Sequence, residues 1–86
     1  MMNSESTVEC VRQTVAAIFN VPLEQVDLET SAMSIENWDS MGHLMLILEI
    51  EQQFEIQLQP EQVECMTSVS EIARILDDMQ VAGSRY

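Results

Sequence analysis

The stretch from Asp39 to Phe54 constrains this chain more than any other. Leu46, Ile50 and Phe54, with Ile47, recur at helical spacing and make a core stripe. Met41, Leu44, Met45 and Leu48 lie on a second face, the one that carries Ser40. A helix from about Ser40 to Phe54 is therefore apolar around most of its circumference. It is either wholly buried or shows an apolar face to another molecule, and the second reading is adopted. Asp39 or Ser40 can cap it, because either side-chain oxygen can accept an orphan N–H of the first turn.

Around this helix the chain has little room. Eighty-six residues make one domain, with a single modest core expected over about residues 6–80 and frayed tails at 1–5 and 81–86. Two glycines, two prolines and four aromatic residues favour helices over a turn-rich β-fold. Fifteen carboxylates face three arginines and no lysine, a net charge of −12. That balance excludes nucleic acid, whose phosphates demand cationic side chains, and an anionic membrane surface. It suits partners with basic docking patches, and it also keeps a small apolar domain in solution. No unbroken apolar run is longer than Leu44–Leu48, so no transmembrane helix is expected, and no signal peptide is visible. A cytoplasmic location is expected. Cys10 and Cys65, far apart and without C-x-x-C spacing, are expected as small buried hydrophobes.

In chain order, Val8, Val11, Val15, Ile18 and Phe19 predict a helix over Thr7–Phe19, with Glu9, Arg12 and Gln13 toward water. Ser6 and Glu9 fit a capping box at its start, and Asn20 followed by Pro22 ends it. A long connection, Val21–Asn37, follows. Pro22–Val26 can form a helical turn, and Val26, Leu28, Met33 and Ile35 can pin the remainder to the core. Trp38 is expected to anchor its far end. Ile56 and Leu58 alternate with polar residues, but a lone strand has nothing to pair with. A short helix is expected over Pro60–Met66. Ser68 and Glu71 fit a second capping box, ahead of a last helix with Val69, Ile72, Ala73, Leu76 and Met79 inward. Glu71, Arg74, Asp77 and Asp78 face water there, with Arg74–Asp78 an i, i+4 pair. The fold class predicted is all-α, a small bundle of three main helices and one short one with a long first loop.

Ser40 invites three readings. Asp39, Ser40 and His43 are the residue types of a hydrolytic triad, but nothing marks Asp39 as the group that orients His43, and no G-x-S-x-G elbow surrounds the serine. One histidine and two distant cysteines give no metal-ligand spacing, and no phosphate-binding glycine loop is present. A serine that merely caps the helix is the plain alternative, with the apolar face serving a non-covalent adaptor that docks in a partner groove. A covalent phosphate linkage is the third reading. Backbone N–H groups and the helix dipole favour negative charge at a helix N-terminus. The long loop leaves the hydroxyl accessible, and methionines on the adjoining face adapt to several partners.

Asp39-Ser40-Met41, a long loop before it, a hydrophobic helix closing in Glu51-Gln52-Gln53-Phe54-Glu55-Ile56, and Thr67-Ser68-Val69 ahead of the last helix together resemble the acyl carrier protein family. The resemblance spans nearly the whole chain. It implies that Ser40 carries 4′-phosphopantetheine through a phosphodiester. It implies that Asp39 helps the phosphopantetheinyl transferase engage its metal and cofactor. It implies a thiol-tipped arm that holds cargo as a thioester, on a carrier that itself catalyses nothing. Fatty-acid synthesis carriers usually place a glutamate where Met45 stands, and Gly42-His43 differs from their usual pair. The sequence is therefore more similar to discrete carriers of polyketide, nonribosomal peptide or related pathways.

On this reading the chain is a monomeric acyl or aminoacyl carrier and not an enzyme. Its partners are the transferase, an adenylating or acyl-loading enzyme, and downstream acyltransferase, ketosynthase or condensation-type enzymes. Met41, Leu44, Met45 and Leu48 form the partner-facing patch, and Glu49, Glu51 and Glu55 are candidates for salt links. His43 is expected as a solvated helix residue, with contact to cargo or partner as the alternative.

Overall fold

The computed structural model describes residues 4–83. Helix α1 spans Ser4–Phe19, α2 Ser40–Phe54, α3 Pro60–Cys65 and α4 Val69–Gly83, with one 3₁₀ turn at Leu23–Gln25. No strand occurs among the described residues, only an isolated bridge between Ser31 and Ser68. The described residues form an all-α bundle with a long first loop, as the sequence predicts. Of the tails expected at 1–5 and 81–86, residues 1–3 and 84–86 lie outside the described residues, and the remainder are the ends of α1 and α4.

The apolar periodicities bury as their spacing requires. Val11, Val15 and Phe19 of α1 meet Leu46, Ile47 and Ile50 of α2 and Val69, Ile72, Ala73 and Leu76 of α4 in one core. Helix α1 packs against both partners and so sits at the centre. Thr14 links it to α2, its hydroxyl accepting the Gln53 amide at 3.0 Å. Thr7 links it to α4 by donating to Asp77 Oδ1 at 2.7 Å. Asp77, expected to face water, is drawn inward by that bond.

Helix ends follow local chemistry. Asn20 (φ 58°) and Glu55 (φ 56°) adopt the left-handed conformation just past α1 and α2. Val21 N–H then donates to the Ala16 carbonyl at 3.1 Å, and Ile56 N–H to the Glu51 carbonyl at 3.2 Å. Both are Schellman closures that satisfy orphan carbonyls. At the other end of α1 the expected capping box fails. The helix starts at Ser4, which puts Ser6 inside it, and Glu9 reaches forward to Arg12 (2.7 Å) and Gln13 (3.2 Å) instead of back.

The long loop is ordered by hydrogen bonds more than by its apolar side chains. Val26 is fully buried and Ile35 half-buried, but Leu28 is half-exposed and Met33 almost wholly exposed. Met33 sits at the tip of a turn in which Ser31 accepts its N–H at 3.2 Å and that of Ser34 at 2.9 Å. The backbone of Leu28 faces inward instead. Its carbonyl takes Ser70 N–H at 3.1 Å, while the Thr30 carbonyl takes Val69 N–H at 2.9 Å. Ser68 Oγ accepts Glu71 N–H at 3.2 Å. The first three orphan donors of α4 are thus satisfied, two by the loop and one by the expected serine cap.

Arg12, expected toward water, clips the loop to α1. Its guanidinium donates to the Leu23 carbonyl at 2.9 Å, to the Val26 carbonyl, and to Glu9 at 2.7 Å. Arg12→Met keeps the aliphatic stem but strips the donors from two half-buried carbonyls. It is expected to cost about 2 kcal/mol, and hence roughly 10 °C in a circular-dichroism melt.

Three smaller expectations are corrected. Cys10 and Cys65 are exposed. Cys10 lies off the Val11–Val15 stripe, and α3 buries none of its residues fully, so Cys65 has no core to enter. Arg74 pairs with Glu71 at 2.7 Å, one turn back, and not with Asp78. Helix α3 ends at Cys65 instead of Met66, whose N–H closes onto the Val63 carbonyl at 3.2 Å while its side chain is fully buried.

Candidate modification site

Trp38, Asp39 and Ser40 are consecutive and do three different things. Trp38 is buried and stacks on Phe19, with ring centroids 5.2 Å apart. This locks the end of the long loop to the end of α1. Asp39 has extended backbone (φ −105°, ψ −164°), and its Oδ1 accepts Gly42 N–H at 2.9 Å. Asp39 is therefore the N-cap of α2, which resolves the choice between it and Ser40. Ser40 is the first helical residue and is exposed, and no hydrogen bond engages its hydroxyl among the described residues. The carboxylate that caps the helix leaves the neighbouring hydroxyl available.

Gly42 makes this arrangement possible. A Cβ placed there would lie 2.5 Å from the Asn37 carbonyl oxygen and 2.6 Å from Phe19 Cε1. The first turn of α2 thus rests directly on the loop backbone and on the aromatic ring beneath it. The sequence marked Gly42 only as a departure from the usual pair of fatty-acid synthesis carriers, without a structural reason. The available signal was a glycine placed inside a helix without need of a turn, which costs about 1 kcal/mol against alanine and so implies a close approach.

His43 is neither solvated nor aimed at Ser40. It is half-buried, and its Nδ1 accepts the Trp38 indole N–H at 2.9 Å. Its Nε2 lies 2.8 Å from the Val63 carbonyl in α3. With both ring nitrogens engaged and the Asp39 carboxylate spent on the helix cap, Asp39, Ser40 and His43 do not form a triad in this structure.

The second face of α2 is open. Met41 is 70% exposed, Leu44 57%, Met45 51% and Leu48 52%. No charged residue occurs from Ser40 to Leu48. An otherwise strongly acidic chain therefore carries an uncharged apolar strip running away from the exposed hydroxyl. Of the acids expected nearby, Glu51 is committed internally, its Oε2 accepting Leu58 N–H at 2.9 Å. Glu49 accepts the Gln53 amide at 3.2 Å, and Glu55 serves as the left-handed cap of α2.

These features fit a covalently held phosphodiester. The hydroxyl is exposed and unpaired among the described residues, at a helix N-terminus whose dipole favours an anion. A family model described as a phosphopantetheine attachment site matches residues 9–76. The match takes in α1 from Glu9 onward, the long loop, Ser40, all of α2 and α3, and the first half of α4.

Proposed function

Because this chain belongs to the phosphopantetheine attachment family, whose domains carry covalent 4′-phosphopantetheine, we propose that Ser40 is the attachment residue of an acyl or aminoacyl carrier. The observation that carries the reading is the exposed, unengaged Ser40 hydroxyl beside an aspartate already occupied as the helix cap. In modification the Ser40 oxygen loses its proton and gains a bond to phosphorus. The pyrophosphate link of coenzyme A breaks, and the adenosine bisphosphate portion leaves. The attached arm supplies a terminal thiol that holds cargo as a thioester, activated for acyl transfer. The chain's own residues position this arm. Trp38 on Phe19 and Gly42 on Asn37 fix the start of α2, while the mobile arm raises the effective concentration of cargo at a docked enzyme.

Met41, Leu44, Met45 and Leu48 are the docking strip for the transferase, for an adenylating or acyl-loading enzyme, and for downstream acyltransferase, ketosynthase or condensation-type enzymes. Met45, exposed where carriers of fatty-acid synthesis usually have glutamate, supports a specialised pathway of polyketide, nonribosomal peptide or related type. The remaining acids supply long-range attraction to basic surfaces.

The test is intact mass after incubation with coenzyme A and a broad-specificity transferase. One added phosphopantetheine on the wild type and none on Ser40→Ala is the expected result. The docking strip is tested separately. Leu44→Asp is expected to leave thermal stability within about 0.5 kcal/mol, since the side chain is largely solvated. Placing a charge in an apolar interface is expected to weaken capture by a loading enzyme about tenfold or more. Partner binding that ignores Ser40→Ala, on a protein that takes up no phosphopantetheine, would instead mark a non-covalent adaptor.

A further inference from the structure

His43 is used by nothing in the modification chemistry, yet it makes two directional hydrogen bonds one turn beyond Ser40. The Trp38 indole can only donate, so His43 Nδ1 must accept. The Val63 carbonyl can only accept, so His43 Nε2 must carry the proton. The partners therefore select a single neutral tautomer, with hydrogen on Nε2. The ring also lies nearly parallel to the indole, at an interplanar angle of 25° and a centroid distance of 6.2 Å.

Helix α3 needs this bond more than the other helices would. It has six residues and buries none of them fully. A helix so short is marginal by itself and depends on its neighbours for its place. Its first turn is closed internally, by Gln59 N–H donating to Gln62 Oε1 at 2.8 Å. Its last turn is held at the Val63 carbonyl, which takes both Met66 N–H and the His43 ring. The bond from His43 joins α3 to the helix that begins at Ser40, and it runs through the same ring that holds Trp38.

We propose that His43 is a positioning residue: as the Nε2–H tautomer it couples the Trp38–Asp39–Ser40 entry of α2 to the end of α3, so that the modification serine and α3 are presented to a modifying enzyme as one rigid surface. The proposal rests on Ser40 being the attachment residue for its functional half, while its structural half stands without it.

Three variants separate the two bonds. His43→Gln keeps a donor near the Nε2 position, His43→Asn keeps an acceptor near the Nδ1 position, and His43→Leu keeps neither. Imidazole nitrogen shifts of the wild type are expected to show a protonated Nε2 and a bare Nδ1 at neutral pH. Amide exchange across α3 is expected to rise about fivefold in His43→Leu and His43→Asn, the loss of one hydrogen bond, and to return toward wild type in His43→Gln. With coenzyme A and the transferase, KM for the carrier is expected to be higher in His43→Leu and His43→Asn than in His43→Gln while kcat holds, by the factor through which the fraction with α3 in place falls. Should His43→Leu fail to fold, the Gln and Asn pair carries the comparison.

A wild-type Nδ1–H tautomer overturns the proposal, as does α3 exchange that is equal in the Asn, Gln and wild-type proteins. Variants that loosen α3 but leave KM unchanged overturn its functional half. A wild type that gains no phosphopantetheine overturns the assignment of Ser40 instead, and the exchange data then judge the coupling alone.

Discussion

Ser40→Ala is expected to take up no phosphopantetheine under conditions in which every wild-type molecule gains one. The substitution is a clean one for physical reasons. Ser40 is exposed at the first position of α2, and no described residue bonds its hydroxyl. The cap of the helix is Asp39, whose carboxylate holds Gly42 N–H at 2.9 Å and is untouched by the change. Alanine is also the better helix former. The melting temperature should therefore stay within the range set by about 0.5 kcal/mol. A loss of modification with an unchanged melt separates a missing nucleophile from a damaged fold. An equal mass gain in Ser40→Ala would move the attachment to another residue.

Gly42→Val is expected to be the most damaging single substitution near the site. A Cβ at this position already falls 2.5 Å from a backbone oxygen and 2.6 Å from the Phe19 ring. The oxygen belongs to Asn37, in the loop whose next residue is the buried Trp38, so it cannot swing aside as a flexible side chain would. Phe19 is itself wedged between Trp38 and the core, at a ring separation of 5.2 Å. Overpacking of this kind costs about 3 kcal/mol, or roughly 15 °C in the melt of a domain this size. Gly42→Ala should cost less, about 2 kcal/mol, because improved helix propensity offsets part of the overlap. Both variants should slow modification as well, since the displaced turn is the one that presents Ser40. A melt unchanged in Gly42→Val would show that α2 starts farther from Phe19 than it does here.

What could be read in the sequence was whatever repeats or punctuates. Leu46–Ile50–Phe54 and Val69–Ile72–Leu76 identify helix faces because a helix returns to the same side every three to four residues. Ser68 marks the start of α4, and Pro22 and Pro60 mark turns, because their chemistry acts within a few residues, while the Glu71 carboxylate pairs forward with Arg74. The exposed Met41–Leu48 face was legible as apolar surface left over once the core stripe was assigned. Ser40 at the start of α2 was legible from Asp-Ser before an apolar run. All of these are local or periodic signals, and a chain displays them without knowing its partners in space.

What the sequence did not disclose was the set of contacts that exist only once the chain has turned back on itself. Arg12 looked like a solvated cation because its two carbonyl partners, in Leu23 and Val26, carry no side-chain signature. Leu28 and Met33 looked like anchors because hydrophobicity was visible, whereas the backbone bonds that hold the loop to α4 were not. Gly42 looked like a family difference until Phe19 and Asn37 were brought against it. His43 looked solvated until Trp38 and Val63 closed on its two nitrogens. Residue order thus determined the four helices, their inward faces and the serine available for chemistry. Only tertiary structure decided what holds that serine in place, because backbone carbonyls and close approaches leave no trace in residue identity until the chain has folded.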